Sequence, residues 1–87
     1  MAVRDEIRKQ VLEDLAHRKG ITEFGHDEVL IPQVVESLGI FRLLQFFEDH
    51  FRIRIPDQEI IAENFQSISA MERLVTAHLN SQEKRSA

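Results

Sequence analysis

Val3, Ile7, Val11 and Leu15 stand four residues apart, with Leu12 and Ala16 beside them, while Arg4, Arg8, Lys9, Glu13 and Asp14 fill the positions between. An α-helix turns once in about 3.6 residues, so this spacing gathers the apolar side chains on one stripe and the charges on the other faces. No proline or glycine interrupts the pattern before Gly20, which stands where a helix C-terminus is expected. The spacing predicts one long amphipathic helix over Val3–Arg18, and its stripe has to be covered by the rest of the chain. With 87 residues in all, that cover comes from a single domain with a small core.

Periodicity fails from Lys19 to Glu36, where Gly20, Gly25, Asp27 and Pro32 punctuate the chain. A connection this long is uncommon in so small a domain, and those that persist are often functional. Phe24, Val29, Leu30 and Ile31 are expected to tack it onto the core, with one short helical turn after Asp27. Ser37 to Phe51 reads as the second helix, with Ser37 as its N-cap. Leu43, Leu44, Phe47 and Phe51 form its stripe, and Leu38, Ile40, Phe41 and Phe46 widen it nearly all round. A helix this apolar lies in a core or offers side chains to a partner.

Phe51-Arg-Ile-Arg-Ile-Pro56 alternates like a strand, but no second segment alternates to pair with it. It reads as an extended connector with Ile53 and Ile55 inward. Asp57 is expected to cap a short helix over Ile60–Phe65. Ser69 is expected to cap a last helix to about Leu79, with Met71, Leu74, Val75, His78 and Leu79 on one face. The expected fold is all-α, a bundle of three main helices plus one short one. Residues 1–80 form the domain, and 81–87 a flexible polar tail.

Composition removes several functions. The net charge of -4 argues against a nucleic-acid binder, which shows a basic face to phosphate. With no cysteine there is no disulfide scaffold, Cys-rich zinc site or thiol chemistry from the chain itself. No stretch approaches the ~20 apolar residues of a membrane span, and the N-terminus lacks the apolar run of a signal peptide, so a cytoplasmic location is expected. His17, His26, His50 and His78 do not stand at the i, i+4 spacing of a helical zinc pair. Glu48 and Asp49 diverge on a helix, and Glu23, Asp27 and Glu28 lack the glycine-centred spacing of a calcium loop. With no phosphate-cradling glycine loop either, nothing supports an enzyme.

Glu36-Ser37-Leu38-Gly39 lies at the end of the long loop, and Phe47-Glu-Asp-His-Phe-Arg-Ile-Arg-Ile-Pro-Asp57 follows about ten residues later. Together these resemble the acyl carrier protein family, whose motif is Asp-Ser-Leu at the head of the second helix, followed by an acidic Phe-containing helix end and Ile-Pro-Asp. Ser37, Leu38, Glu48, Asp49, Phe51, Ile55, Pro56 and Asp57 all fall in register. Ala62-Glu-Asn-Phe-Gln-Ser-Ile68 is similar to stand-alone D-alanyl and aminoacyl carriers served by separate adenylating ligases.

The resemblance implies a discrete carrier, not an enzyme. Ser37 would be esterified by a covalent 4'-phosphopantetheine arm whose thiol holds an acyl or aminoacyl cargo as a thioester. Its partners would be a phosphopantetheinyl transferase, an adenylating ligase and downstream biosynthetic enzymes, with no nucleic acid or membrane among them, and the carrier itself a monomer. Partner recognition falls to Glu36, Leu38, Phe41, Arg42, Gln45, Glu48 and Asp49. Two departures stand out: Glu36 replaces the family's usual Asp, which helps engage the transferase's magnesium, and Arg42 replaces a common acid. Arg52 and Arg54 also make the connector basic. The mixed field suggests dedicated partners rather than the general fatty-acid machinery. Glu36 and Arg42 also favour the rival reading, a carrier-fold interaction module that has lost the arm; a homodimeric helical adaptor is a further one.

Overall fold

A computed structural model describes residues 2–32 and 34–86, the last five as backbone alone. Among these residues the protein is helical and strand-free: α1 is Val3–Val11, α2 Ser37–Phe51, α3 Ala62–Phe65 and α4 Ile68–Ser86. The all-α expectation holds, with α1, α2 and α4 as the main helices and α3 as the short one.

The predicted first helix is present, but only its first half keeps regular α winding. After Val11 the rod widens into a π-turn over Leu12–Ala16 and tightens into a 3₁₀ turn over His17–Lys19. Ile7, Val11 and Leu15 stay on the buried stripe throughout. Gly20 ends the rod at φ 74, a left-handed conformation that costs glycine little, and its N–H donates to His17 O at 3.1 Å. The covered side of α1 lies chiefly against α4, where Met71, Leu74 and Val75 are buried.

Three helix starts differ from expectation. Glu36, not Ser37, is the N-cap of α2: its backbone is extended, and Ser37 is already the first helical residue. The last helix begins at Ile68, and its cap is Ser67, whose Oγ accepts from the Ala70 N–H at 3.1 Å. Ser69 instead donates its N–H to His26 O at 2.9 Å, fastening the loop to the base of α4. The helix over Ile60–Phe65 is divided into a 3₁₀ turn at Asp57–Glu59 and the four residues of α3. Ile60 and Ile61 leave helical geometry between them, and Asn64 Nδ2 bridges the break by donating to Glu59 O at 2.8 Å. At the far end, α4 runs past Leu79 to Ser86; Ala87, the end of the expected tail, lies outside the described residues.

α2 buries Gly39, Leu43, Phe47 and Phe51 at helical spacing and ends at Arg52, a non-glycine residue at φ 57. Phe47 stacks on Phe65 with ring centroids 6.0 Å apart, which holds α3 against α2. Ile53 and Ile55 point inward as expected, and the Ile55 N–H donates to Glu48 Oε2 at 3.0 Å.

The long loop is anchored along its length. Arg8 donates to Phe24 O and lies over the Phe24 ring, 4.8 Å from its centre. The Leu30 N–H donates to Gln66 O at 2.7 Å, and Leu30 O closes one helical turn by accepting from Val34 N–H at 2.8 Å. Phe24 and Leu30 are core residues as expected, and Ile31 is half-buried. Val29 is 56% exposed, because its neighbour Leu30 takes the inward position, and Val34 and Val35 supply burial in its stead.

Candidate functional site

Ser37 sits at the head of α2 with its side chain in solvent, and its hydroxyl makes no hydrogen bond with the described residues. No side chain accepts from the first-turn amides of α2 either. An uncapped helix start keeps unsatisfied N–H groups and the positive end of the backbone dipole beside the hydroxyl.

Two ion pairs hold this end of α2 against the two turns that follow α1. Lys19 Nζ lies 3.2 Å from Glu36 Oε1, one residue before the serine. One turn into the helix, Arg42 makes a two-pronged contact with Asp14, its Nε donating to Oδ2 at 2.8 Å. Hydrogen bonding from Arg42 holds the Asp14 carboxyl below its usual range; partial burial opposes this, and the charges of Arg42 and Arg18 add to the lowering. The backbone between the two pairs comes close to the π-turn: a Cβ on Gly39 would lie 3.3 Å from both Leu15 methyls. Gly39 is thus the residue that lets the two elements meet.

Facing solvent around Ser37 are two large apolar side chains, Leu38 at 78% and Phe41 at 61% exposure. Phe41 lies one turn along from Ser37, so any protein reaching for the hydroxyl meets it. Gln45 and Asp49 are exposed farther along and line an open groove with Asp14, Arg42, Phe46 and His50.

Glu36, Ser37, Leu38, Phe41, Arg42, Gln45 and Asp49 therefore share an accessible surface. Glu48 is turned toward its own connector, where it accepts from the Ile55 N–H. Asp14, Arg18 and Lys19 were not singled out by sequence; they reach the site only because the first helix ends beside the second.

Two of the histidines are engaged with neighbouring side chains. His50 stacks on Phe46 with centroids 4.9 Å apart and pairs with Glu6 at 3.0 Å, while His78 pairs with Glu59 at 2.6 Å. Among the described residues no three His or acidic side chains converge as metal ligands, and no helix is long and apolar enough to cross a membrane.

The described residues thus define a class: a small all-α bundle with an exposed serine at the head of α2, beside two exposed apolar side chains. Comparison with known proteins gives the class a family. The chain is 31% identical over 72 residues to aminoacyl carrier protein 2 of Bradyrhizobium diazoefficiens, covering 82% of this chain and 81% of that one. No family model matches the chain, and no solved structure does. On that identity and coverage, the chain belongs to the carrier-protein family.

Proposed function

We propose that the chain is a discrete acyl or aminoacyl carrier with Ser37 as the attachment point of a 4'-phosphopantetheine arm, shuttling cargo between an adenylating ligase and downstream enzymes. The observation that carries this reading is the Ser37 hydroxyl, exposed and unbonded at the start of α2 within Glu36-Ser37-Leu38. The donor set suits a phosphodiester: free first-turn amides at the helix end, and Arg18, Lys19 and Arg42 nearby in one groove. When attached, the arm supplies the thiol on which cargo is held as a thioester, a group this cysteine-free chain lacks.

In this reading the protein's own residues bind and orient. Leu38 and Phe41 offer apolar anchors to partner enzymes, and Gln45 and Asp49 flank them. Glu36 meets a transferase with one oxygen already paired to Lys19, and Arg42 presents a cation already engaged by Asp14. These features favour partners matched to this surface over the general fatty-acid machinery.

Intact mass after incubation with coenzyme A and a broad-specificity phosphopantetheinyl transferase tests the proposal. The wild type should gain one phosphopantetheine and Ser37→Ala none, while Ser67, Ser69, Ser81 and Ser86, none of which is followed by leucine at a helix start, stay unmodified. A wild type that gains nothing identifies an interaction module without the arm; a Ser37→Ala protein that still gains the mass refutes the site.

A further inference from the structure

The charge of this chain is unevenly placed. Its net charge is -4, yet Arg18, Lys19 and Arg42 converge on one groove between the turns that follow α1 and the head of α2. Among the described residues two carboxylates pair with them, Asp14 with Arg42 and Glu36 with Lys19. The charge of Arg18 also falls on Asp14, so one carboxylate there faces two cations and this end of the molecule keeps an excess of positive charge. Asp49, the next acid on the exposed side of α2, lies about 10 Å farther along the helix axis.

Arg42 is set to use that charge. Its Nε and Nη2 donate to the two oxygens of Asp14, while Nη1 donates to nothing among the described residues. The side chain is 47% exposed and already fixed by a two-point contact. A long side chain held in place has less freedom to lose when a further acceptor arrives. Leu38 stands one turn before Arg42 and Phe41 directly before it, both exposed.

We propose that the face formed by Leu38, Phe41 and Arg42 docks on an acidic partner surface, a partner carboxylate accepting from Arg42 while Leu38 and Phe41 enter an apolar pocket beside it. This names the partner chemistry of the carrier reading above and rests on that reading, in which the partner is an enzyme reaching for Ser37. Charge complementarity decides the sign. An acidic surface is drawn to the head of α2 by the excess cation there, although the chain as a whole is acidic. A basic surface meets Arg18 and Arg42 as like charges, and finds the Glu36 carboxylate with one oxygen already on Lys19.

Two short helical peptides serve as probes of the partner surface, alike in a leucine-rich face and differing only in flanking glutamates or lysines. Each is titrated into the apo protein at low salt and followed by NMR of the backbone amides and the arginine Nε–H groups. The acidic peptide should bind about three- to tenfold tighter, the range expected of exposed charge pairs, and move the amides of residues 37–42 together with the Arg42 Nε–H. That preference should fade in about 1 M salt, where the screening length falls to about 3 Å. Arg42→Gln should remove most of it, and Arg18→Gln, which breaks no hydrogen bond among the described residues, should remove part. Equal affinity for the two peptides, tighter binding of the basic one, or shifts centred on Arg52 and Arg54 overturns the docking proposal. The intact-mass assay keeps the two readings apart. Mass gain without an acidic preference overturns the docking face alone, and an acidic preference without mass gain overturns the carrier reading alone.

Discussion

Phe41 and Phe47 stand on the same helix, one 61% exposed and the other fully buried, and truncating each to alanine should give opposite results. The Phe47 ring stacks on Phe65 at 6.0 Å, meets Phe46 edge-on at 6.0 Å and lies 6.3 Å from Phe51, so it joins α2 to α3. Removing it forfeits the transfer free energy of the ring and leaves a void that the neighbours fill only in part. The expected cost for such a deletion is about 3–5 kcal/mol. At roughly 0.05–0.15 kcal/mol per residue, a chain of this length has only about 4–13 kcal/mol to lose. Phe41→Ala opens no cavity, and an exposed substitution stays within about ±0.5 kcal/mol.

Urea unfolding followed by far-UV circular dichroism separates the two. With slopes of about 1–3 kcal/mol per molar for small proteins, Phe47→Ala should lower the midpoint by on the order of 2 M, while Phe41→Ala leaves it nearly unchanged. Phe41→Ala should still slow loading by partner enzymes, because that side chain belongs to the proposed docking surface. Equal midpoints for Phe47→Ala and wild type would refute the packing of α3 against α2. A large loss in Phe41→Ala would show that this ring is core and not surface.

Phe51 is nearly buried at 8% exposure, so Phe51→Ala should also cost about 3–5 kcal/mol and leave the protein largely unfolded near 37 °C; a sharp native-like melt at that temperature contradicts this. Gly20→Ala should cost about 1 kcal/mol, read as a lower melting temperature; nothing lies within 4 Å of an added Cβ, so the penalty comes from the positive φ alone. Asp14→Asn should destabilise at neutral pH. The folded Asp14 carboxyl lies below its ordinary 3.8, so its contribution is complete above that value and fades as pH falls through the folded one. The gap in melting temperature between wild type and Asp14→Asn should therefore be open at about pH 7 and narrow as pH falls below 3.8, and a gap independent of pH would show that the carboxylate charge is irrelevant.

What the sequence made legible is what local chemistry decides. The four-residue spacing of Val3, Ile7, Val11 and Leu15 places them on one stripe whatever surrounds them, and α1 buries that stripe except for its first residue, half-exposed Val3. The alternation of Ile53 and Ile55 gave the connector its inward face for the same reason. Helix starts were less legible, because several polar residues compete at each. Ser67 and Ser69 are both competent caps, and the choice falls to Ser67 only because Ile68 is drawn into the core and the Ser69 N–H is committed to His26. Val34 and Val35 were hidden because a loop has no period to announce which side chains turn inward. The proposal for Ser37 rests on its neighbours: a Ser-Leu pair at the head of an apolar helix with Ile-Pro-Asp downstream.

The electrostatics of the site were not legible, because a sequence shows charges without their partners. By position alone, Glu36, Glu48 and Asp49 are acids available to a docking enzyme and Arg42 a cation intruding among them. In the folded protein Glu36 is held by Lys19, Glu48 by the backbone of the connector, and Arg42 by Asp14, which stands 28 residues earlier. An enzyme that approaches with a basic patch finds one oxygen of Glu36 and one of Glu48 already engaged, while the Glu36 side chain stays 65% exposed. Exposed ion pairs contribute little to folding, so these hold the surface cheaply while still charging a newcomer for desolvating and separating them. The apolar side chains carry no such condition: Leu38 and Phe41 are open to any partner of the right shape. In the proposed reading, recognition rests on shape at Leu38 and Phe41, with the paired charges acting as a filter.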